Sequence, residues 1–341
     1  MTTPPVSLID VSTYLPENTV CAEYYAGVAG ADELRDSVMF RAPAFRHHAA
    51  KDESNTDMIE RAVQGLLKRH GAKALSDVDV LLAHSQLLDA PFVGCAGAVA
   101  HRLGIAPEWT VDVQNGGCAA FVHMMRLARQ LLQSGAGRKA LIVLAQRCAG
   151  TVFDQQQVRK LAQAAIPGDG AAAGLLTLSD RSPIIEIVCR DYGEYAADMA
   201  AISDPPRRWW ESGPGEGYIS FTGEAVVAEV LARGNRLVPE VVQVVCDRIG
   251  MKSEDLDLLV TNQPNQLFLR NWDKALGLPP ARHRDTFHQC GNLFGVGIPV
   301  NFDFAINDGQ VKPGDVVMMA AFAHAGDFAG AAALRWGGRP Q

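Results

Sequence analysis

The amino-acid sequence predicts an α/β fold with two sheets, each covered by helices on both faces. Three observations predict it: a block of sequence written twice, short apolar runs at matching points of both copies, and helix-length amphipathic stretches between those runs. The first copy passes from Gly104-Ile105 through Asp112 to Cys118, then to Gly135 and the apolar run 140–145. The second passes from Gly277-Leu278 through Asp285 to Asn292, then to Gly309 and the run 316–321, with Gly309 as far from Asn292 as Gly135 is from Cys118. Upstream, Asp79 leads into 80–85 and Asp257 into 258–262, so His84 and Asn262 correspond.

The runs 80–85, 140–145, 258–262 and 316–321 are rich in leucine and β-branched residues, lack alternation and are bounded by turn residues, as strands buried on both faces are. The stretches 54–69, 119–132, 223–231, 240–249 and 295–307 carry apolar residues three and four apart and read as helices. A chain of 341 residues is long enough for two core units. The duplication divides it into an N-terminal half, 1–180, carrying Cys118, and a C-terminal half, 181–341, carrying Asn262 and Asn292. The boundary is placed at the turn Ser182-Pro183, after the apolar run 175–178.

A net charge of −7 argues against a nucleic-acid partner, which needs a basic face. The seven cysteines form no C-x-x-C pair, so neither a disulfide framework nor a zinc site is indicated and a reduced, cytoplasmic setting is expected. Residues 1–6 have no basic segment followed by an apolar stretch, and no apolar run reaches the length of a membrane span, so neither a secretory signal nor a membrane is expected.

Cys118 follows Gly116-Gly117 and opens the stretch 119–132. A helix N-terminus presents unpaired N–H groups and partial positive charge, which lowers a thiol pKa and builds an oxyanion hole. The competing reading is a small buried core thiol. A cysteine and an amide at equivalent points of two halves point to one active site between them.

The chain resembles the β-ketoacyl-acyl carrier protein synthase III family of thiolase-like condensing enzymes nearly end to end. The resemblance rests on 9–16, the cysteine segment 112–121, the Gly-Asp-Gly turn at 168–174, Gln263-Pro264-Asn265, Gly291-Asn292 followed by Ile298-Pro299, and Asp308-Gly309 followed by 312–315. Each motif alone is weak; their order and spacing make the signal strong. The resemblance implies a thiolase-like five-layered α/β/α/β/α fold built from two duplicated halves and a homodimer. It also implies a ping-pong reaction in which cysteine takes an acyl group from a CoA or acyl carrier protein thioester and an acceptor collects it, with no permanently bound cofactor. Cys118 matches the family's nucleophile and Asn292 its asparagine.

Asn262 stands where the family has a histidine. An amide donates to an oxyanion, where one donor is worth roughly 10²- to 10³-fold in rate, but it cannot accept a proton near neutral pH. A malonyl-type acceptor, which becomes its own carbanion on losing carbon dioxide, tolerates that loss; a hydroxyl acceptor needs a base from elsewhere. Such a site suits a polyketide or antibiotic pathway better than fatty-acid initiation, with a catalytically silent partner subunit as the alternative from another class. His84, the counterpart of Asn262, is a candidate base against a structural role. His324 replaces a glycine of the family loop that completes the oxyanion hole, and its backbone N–H is favoured over its ring. His288 is expected to end a strand, His47, His48 and His283 to lie at the surface, and His123 to be packed away from the nucleophile.

Arg46 falls near the family's coenzyme-contacting basic residue, and Arg207, Arg208, Trp209 and Trp210 combine guanidinium groups with indoles suited to a coenzyme A donor or a phosphopantetheine arm. Solvated arginines and tucked tryptophans are the alternatives. Ser85, Leu87, Phe92, Asn265 and Phe294 are the expected substrate-pocket residues. The segment 87–94 resembles the family stretch that reaches across the dimer, with core packing as the competing account.

Overall fold

The structure, a computed structural model, describes residues 4–26, 40–90, 92–156, 158–203, 207–208, 211, 217–222 and 224–339. Its N-terminal sheet contains β1 (Val6–Tyr14), β4 (Val80–Ser85), β5 (Trp109–Asp112), β6 (Lys139–Gln146) and β7 (Gly170–Leu178) in the order β1-β7-β6-β4-β5. Its C-terminal sheet contains β8 (Ile184–Asp191), β11 (Leu258–Thr261), β12 (His283–Arg284), β13 (Val316–Ala323) and β14 (Phe328–Arg335) in the order β8-β14-β13-β11-β12. In both sheets neighbouring strands are antiparallel among the first three of that order and parallel among the last three. The same acidic device sets both: Asp79 Oδ2 accepts from the backbone N–H groups of Arg138 and Lys139 where β6 begins, and Asp257 Oδ2 from that of Val316 where β13 begins.

Two helices, α4 (Ala120–Gln133) and α8 (Gly297–Asn307), form the central layer. Helix α4 packs on strands of both sheets, and Phe121, Met124 and Met125 from it join Val300 and Phe302 of α8 in one core with residues of both sheets. Helices α2 (Asn55–His70) and α3 (Ala96–Leu103) cover the outer face of the N-terminal sheet, and α5 (Glu224–Ile249) and α6 (Gln266–Leu276) that of the C-terminal sheet, completing five layers. Short helices α1 (Ala22–Ala26) and α7 (Phe287–Cys290) and two antiparallel strand pairs, β2 (Asn18–Cys21) with β3 (Phe45–His48) and β9 (Met199–Ser203) with β10 (Gly217–Phe221), lie outside this frame. Among the described residues no helix is long and apolar enough to cross a membrane.

Several local expectations are corrected. The stretches read as two helices, 223–231 and 240–249, fall from Glu224 onward in one helix, α5, with Pro239 inside it. That helix is held by packing: a Cβ on Gly234 would lie 2.6 Å from the Phe268 ring, and Gly234 O accepts from Trp272 Nε1 at 2.8 Å. The Gly-Asp-Gly segment is a turn only at 168–169 and continues as β7. Asp169, fully buried, accepts from the backbone N–H groups of Ala49, Cys148, Ala149 and Gly150, and burial still pushes its carboxyl up. His288 lies in α7 rather than at a strand end. His283 is buried between Thr261 Oγ1 (2.8 Å) and Asp273 Oδ1 (2.6 Å), and His48 is buried with its pKa lowered by desolvation to about 4.

Candidate active site

Cys118 occupies the tight turn Gly117–Ala119 that leads into α4, and the packing of that turn requires its glycines. Gly117 has φ +46°, and a Cβ there would lie 2.7 Å from His324 Nε2; a Cβ on Gly116 would lie 2.6 Å from the Ala120 Cα. The thiol is buried, and burial pushes it up to about 12 although the Asn262 amide hydrogen-bonds to it. The expectation of a lowered thiol is therefore corrected: desolvation outweighs the lowering by the Asn262 amide and by the backbone hydrogen bond at Cys118.

Asn262 follows β11 and is fully buried. Its Nδ2 donates to the Phe322 carbonyl at 3.4 Å, which fixes the amide orientation, and its buried Oδ1 has no partner among the described residues. Asn292 comes from the other side of the site. Its Oδ1 accepts from Phe294 N at 3.0 Å, leaving Nδ2 as the available donor, and its backbone bonds to Ile166 O and Gly168 N across the junction of the two sheets. A buried network locks both amides in register: Gln263 bonds through both ends of its amide to Thr286, Thr286 Oγ1 donates to Asn301 Oδ1, and Asn301 Nδ2 donates to Thr261 O.

Cys118, Asn262, Asn292 and His324 line one cavity of about 160 Å³. Its walls are largely apolar, with Phe153, Met199, Phe221, Phe268, Phe294 and Phe322 prominent, and Asn265 and Gln86 also reach it. Asn265 Oδ1 caps α6 by accepting from Phe268 N. His324 has φ +48°, and its Nδ1 lies 3.0 Å from both carboxylate oxygens of Asp327.

Other expected site residues fall elsewhere. His84 does not line the cavity: it is buried, its Nδ1 donates to Val113 O at 2.7 Å, and burial lowers its pKa to about 4. Ser85 and Leu87 also lie off the cavity, the Ser85 hydroxyl donating to Leu87 O at 2.7 Å. Phe92 is 92% exposed, with φ +67°. Arg46 does not face a coenzyme at the surface, because its guanidinium is wholly buried 3.9 Å above the Tyr25 ring and donates to Ala165 O. Arg207 and Arg208 are exposed beyond β9, which together with β10 walls the cavity through Met199, Ile219 and Phe221; Trp209 and Trp210 lie outside the described residues. Asp327, Gln263, Thr286 and Asn301 were given no site role in the sequence reading. Only Gln263, inside the Asn-Gln-Pro-Asn string, carried a signal there.

Comparison with known proteins adds the lineage. The family described as 3-oxoacyl-[acyl-carrier-protein (ACP)] synthase III matches residues 111–193, and the one described as its C-terminal part matches 246–336. The chain belongs to the synthase III-like family of thiolase-fold proteins. A synthase III relative named beta-ketoacyl-[acyl-carrier-protein] synthase III, from Thermosynechococcus vestitus, is 29% identical over 297 residues, covering 85% of this chain and 86% of its own. One of the same name from a Ruegeria species is 27% identical over 336 residues, covering 96% and 98%. The crystal structure of 3-oxoacyl-(acyl carrier protein) synthase III from Pseudomonas aeruginosa PAO1 shares the fold, with a TM-score of 0.82 at 23% identity over 99% of this chain and 100% of its own.

Proposed function

We propose that the protein is an acyltransferase that takes an acyl group from a CoA or carrier-protein thioester onto Cys118 and passes it to an acceptor. The observation that carries this reading is the meeting of Cys118, Asn262 and Asn292 at one apolar cavity. In the first half-reaction Sγ gives up its proton and bonds to the thioester carbon, the tetrahedral oxyanion collapses, the C–S bond to the donor breaks, and the departing donor thiolate takes up a proton. Asn262 Nδ2 orients Sγ, while the Asn292 Nδ2 supplies a donor to the developing oxyanion. The cavity volume of about 160 Å³ compares with about 150 Å³ for a cavity that accepts benzene, so the site favours a compact apolar or aromatic acyl group. Exposed Arg207 and Arg208 beside the β9–β10 pair suit the phosphates of the donor. Exposed Phe92 and Val93, 92% and 66% accessible, suit burial against a second copy. The acceptor and the placement in specialised metabolism extend this reading beyond what relatives named synthase III carry.

Intact-mass measurement after incubation with a panel of short, branched and aromatic acyl-CoA thioesters tests it. One acyl adduct is expected per wild-type chain and none on Cys118→Ala. An adduct that persists in the variant refutes Cys118 as nucleophile.

A further inference from the structure

We propose that the His324 ring, held by Asp327, is the general base of the second half-reaction, and that the acceptor is therefore one whose attacking atom bears a proton, a hydroxyl above all. This rests on the acylation of Cys118 proposed above. A carboxylate only accepts, so with Asp327 oxygens 3.0 Å from Nδ1 the neutral form of the ring carries its proton on Nδ1 and its lone pair on Nε2. That Nε2 end is pressed against the cysteine turn, 2.7 Å from where a Gly117 Cβ would lie, and His324 lines the cavity that contains Cys118. The backbone agrees: φ of +48° at a non-glycine residue is a sparsely populated conformation held by its surroundings. A glycine would relieve it, at the loss of the ring.

The rest of the cavity calls for the same ligand. Asn262 cannot serve as base, yet its buried Oδ1 has no partner among the described residues, and an O–H or N–H of an acceptor would satisfy it. His84 is held away by its bond to Val113. The groups around the His324 ring are the Asp327 carboxylate, the Cys118 thiol, the neutral His84 ring and, packed behind Gly326, Arg233. In the step itself Nε2 takes the acceptor proton as the acceptor oxygen bonds to the thioester carbon. The tetrahedral oxyanion then collapses, the C–S bond breaks, and Sγ leaves as thiolate and recovers the proton from Nε2. The products are an ester and the free thiol.

The test separates the two halves. Acyl-enzyme is prepared with the best-loading acyl-CoA, desalted, and chased with a primary alcohol or, separately, with malonyl-N-acetylcysteamine, while adduct mass is followed over time. His324→Gly, compatible with the positive φ, and His324→Gln, brought to the same adduct level by longer incubation, should lose the alcohol chase by about 10²- to 10⁴-fold, with free imidazole restoring part of it in His324→Gly. Asp327 is the positioning residue: Asp327→Asn should slow the chase and displace the acid limb of its pH profile, which a purely structural role would leave in place. Wild-type chase rates in either His324 variant overturn the proposal. So does release of the wild-type adduct by the malonyl thioester alone. Absence of loading in the wild type takes down the underlying reading with it.

Discussion

The nucleophile role proposed for Cys118 and the burial of its thiol oppose each other. Burial raises its pKa to about 12, with the Asn262 amide pulling the other way. At pH 8 about one thiol in 10⁴ is then ionised. The resting enzyme should therefore alkylate slowly: the iodoacetamide rate constant at Cys118, read by peptide mass, should rise about tenfold per pH unit through pH 10 with no plateau. A plateau near neutrality would show a stabilised thiolate instead. The convergence of Cys118 and Asn292 was legible because the duplicated block marked both positions and the family motifs surround them. The direction of the thiol shift was not, because it depends on walls contributed by distant segments such as Phe322 and Phe268. Arg46 was misplaced for the same reason: a sequence shows a guanidinium but not the Tyr25 ring that roofs it.

At the level of elements, the strand order of the two sheets follows the duplication, down to the acidic residues that start β6 and β13. What escaped is where regular structure is overridden by packing. The stretches 223–231 and 240–249 read as two helices, yet α5 runs on through Gly234 and Pro239, with Phe268, Phe322 and Trp272 packed on Gly234. The turn before α4 is the element on which the site depends most. Gly117→Ala places a methyl group on His324 Nε2 at a positive φ, at a cost of about 1–2 kcal/mol for the backbone. Acyl transfer should fall at least tenfold while the urea midpoint moves only modestly. Unchanged turnover with the same stability loss would show that the turn and the His324 ring are not coupled in the reaction.

Taken whole, the candidate site lies where the two sheets share a central layer. Helix α4 carries the cysteine turn and packs on strands of both sheets, while Asn292 is held by the backbone of Ile166 and Gly168 from the N-terminal sheet's side. Neither sheet alone assembles the cavity: Phe153 and Cys118 come before β7, and Asn262, Phe322 and His324 after β8. The duplication made this layout legible, but the pairing of His324 with Asp327 was not, since three residues of separation carry contact information in a helix and not in a loop. The central claim is that Cys118 is acylated before any acceptor acts. Rapid-quench measurement of free CoA with a loading acyl-CoA and no acceptor tests it most directly: the account predicts a burst of about one CoA per chain that Cys118→Ala abolishes, whereas steady release without a burst, accompanied by no covalent adduct, or a burst surviving in Cys118→Ala, would contradict it.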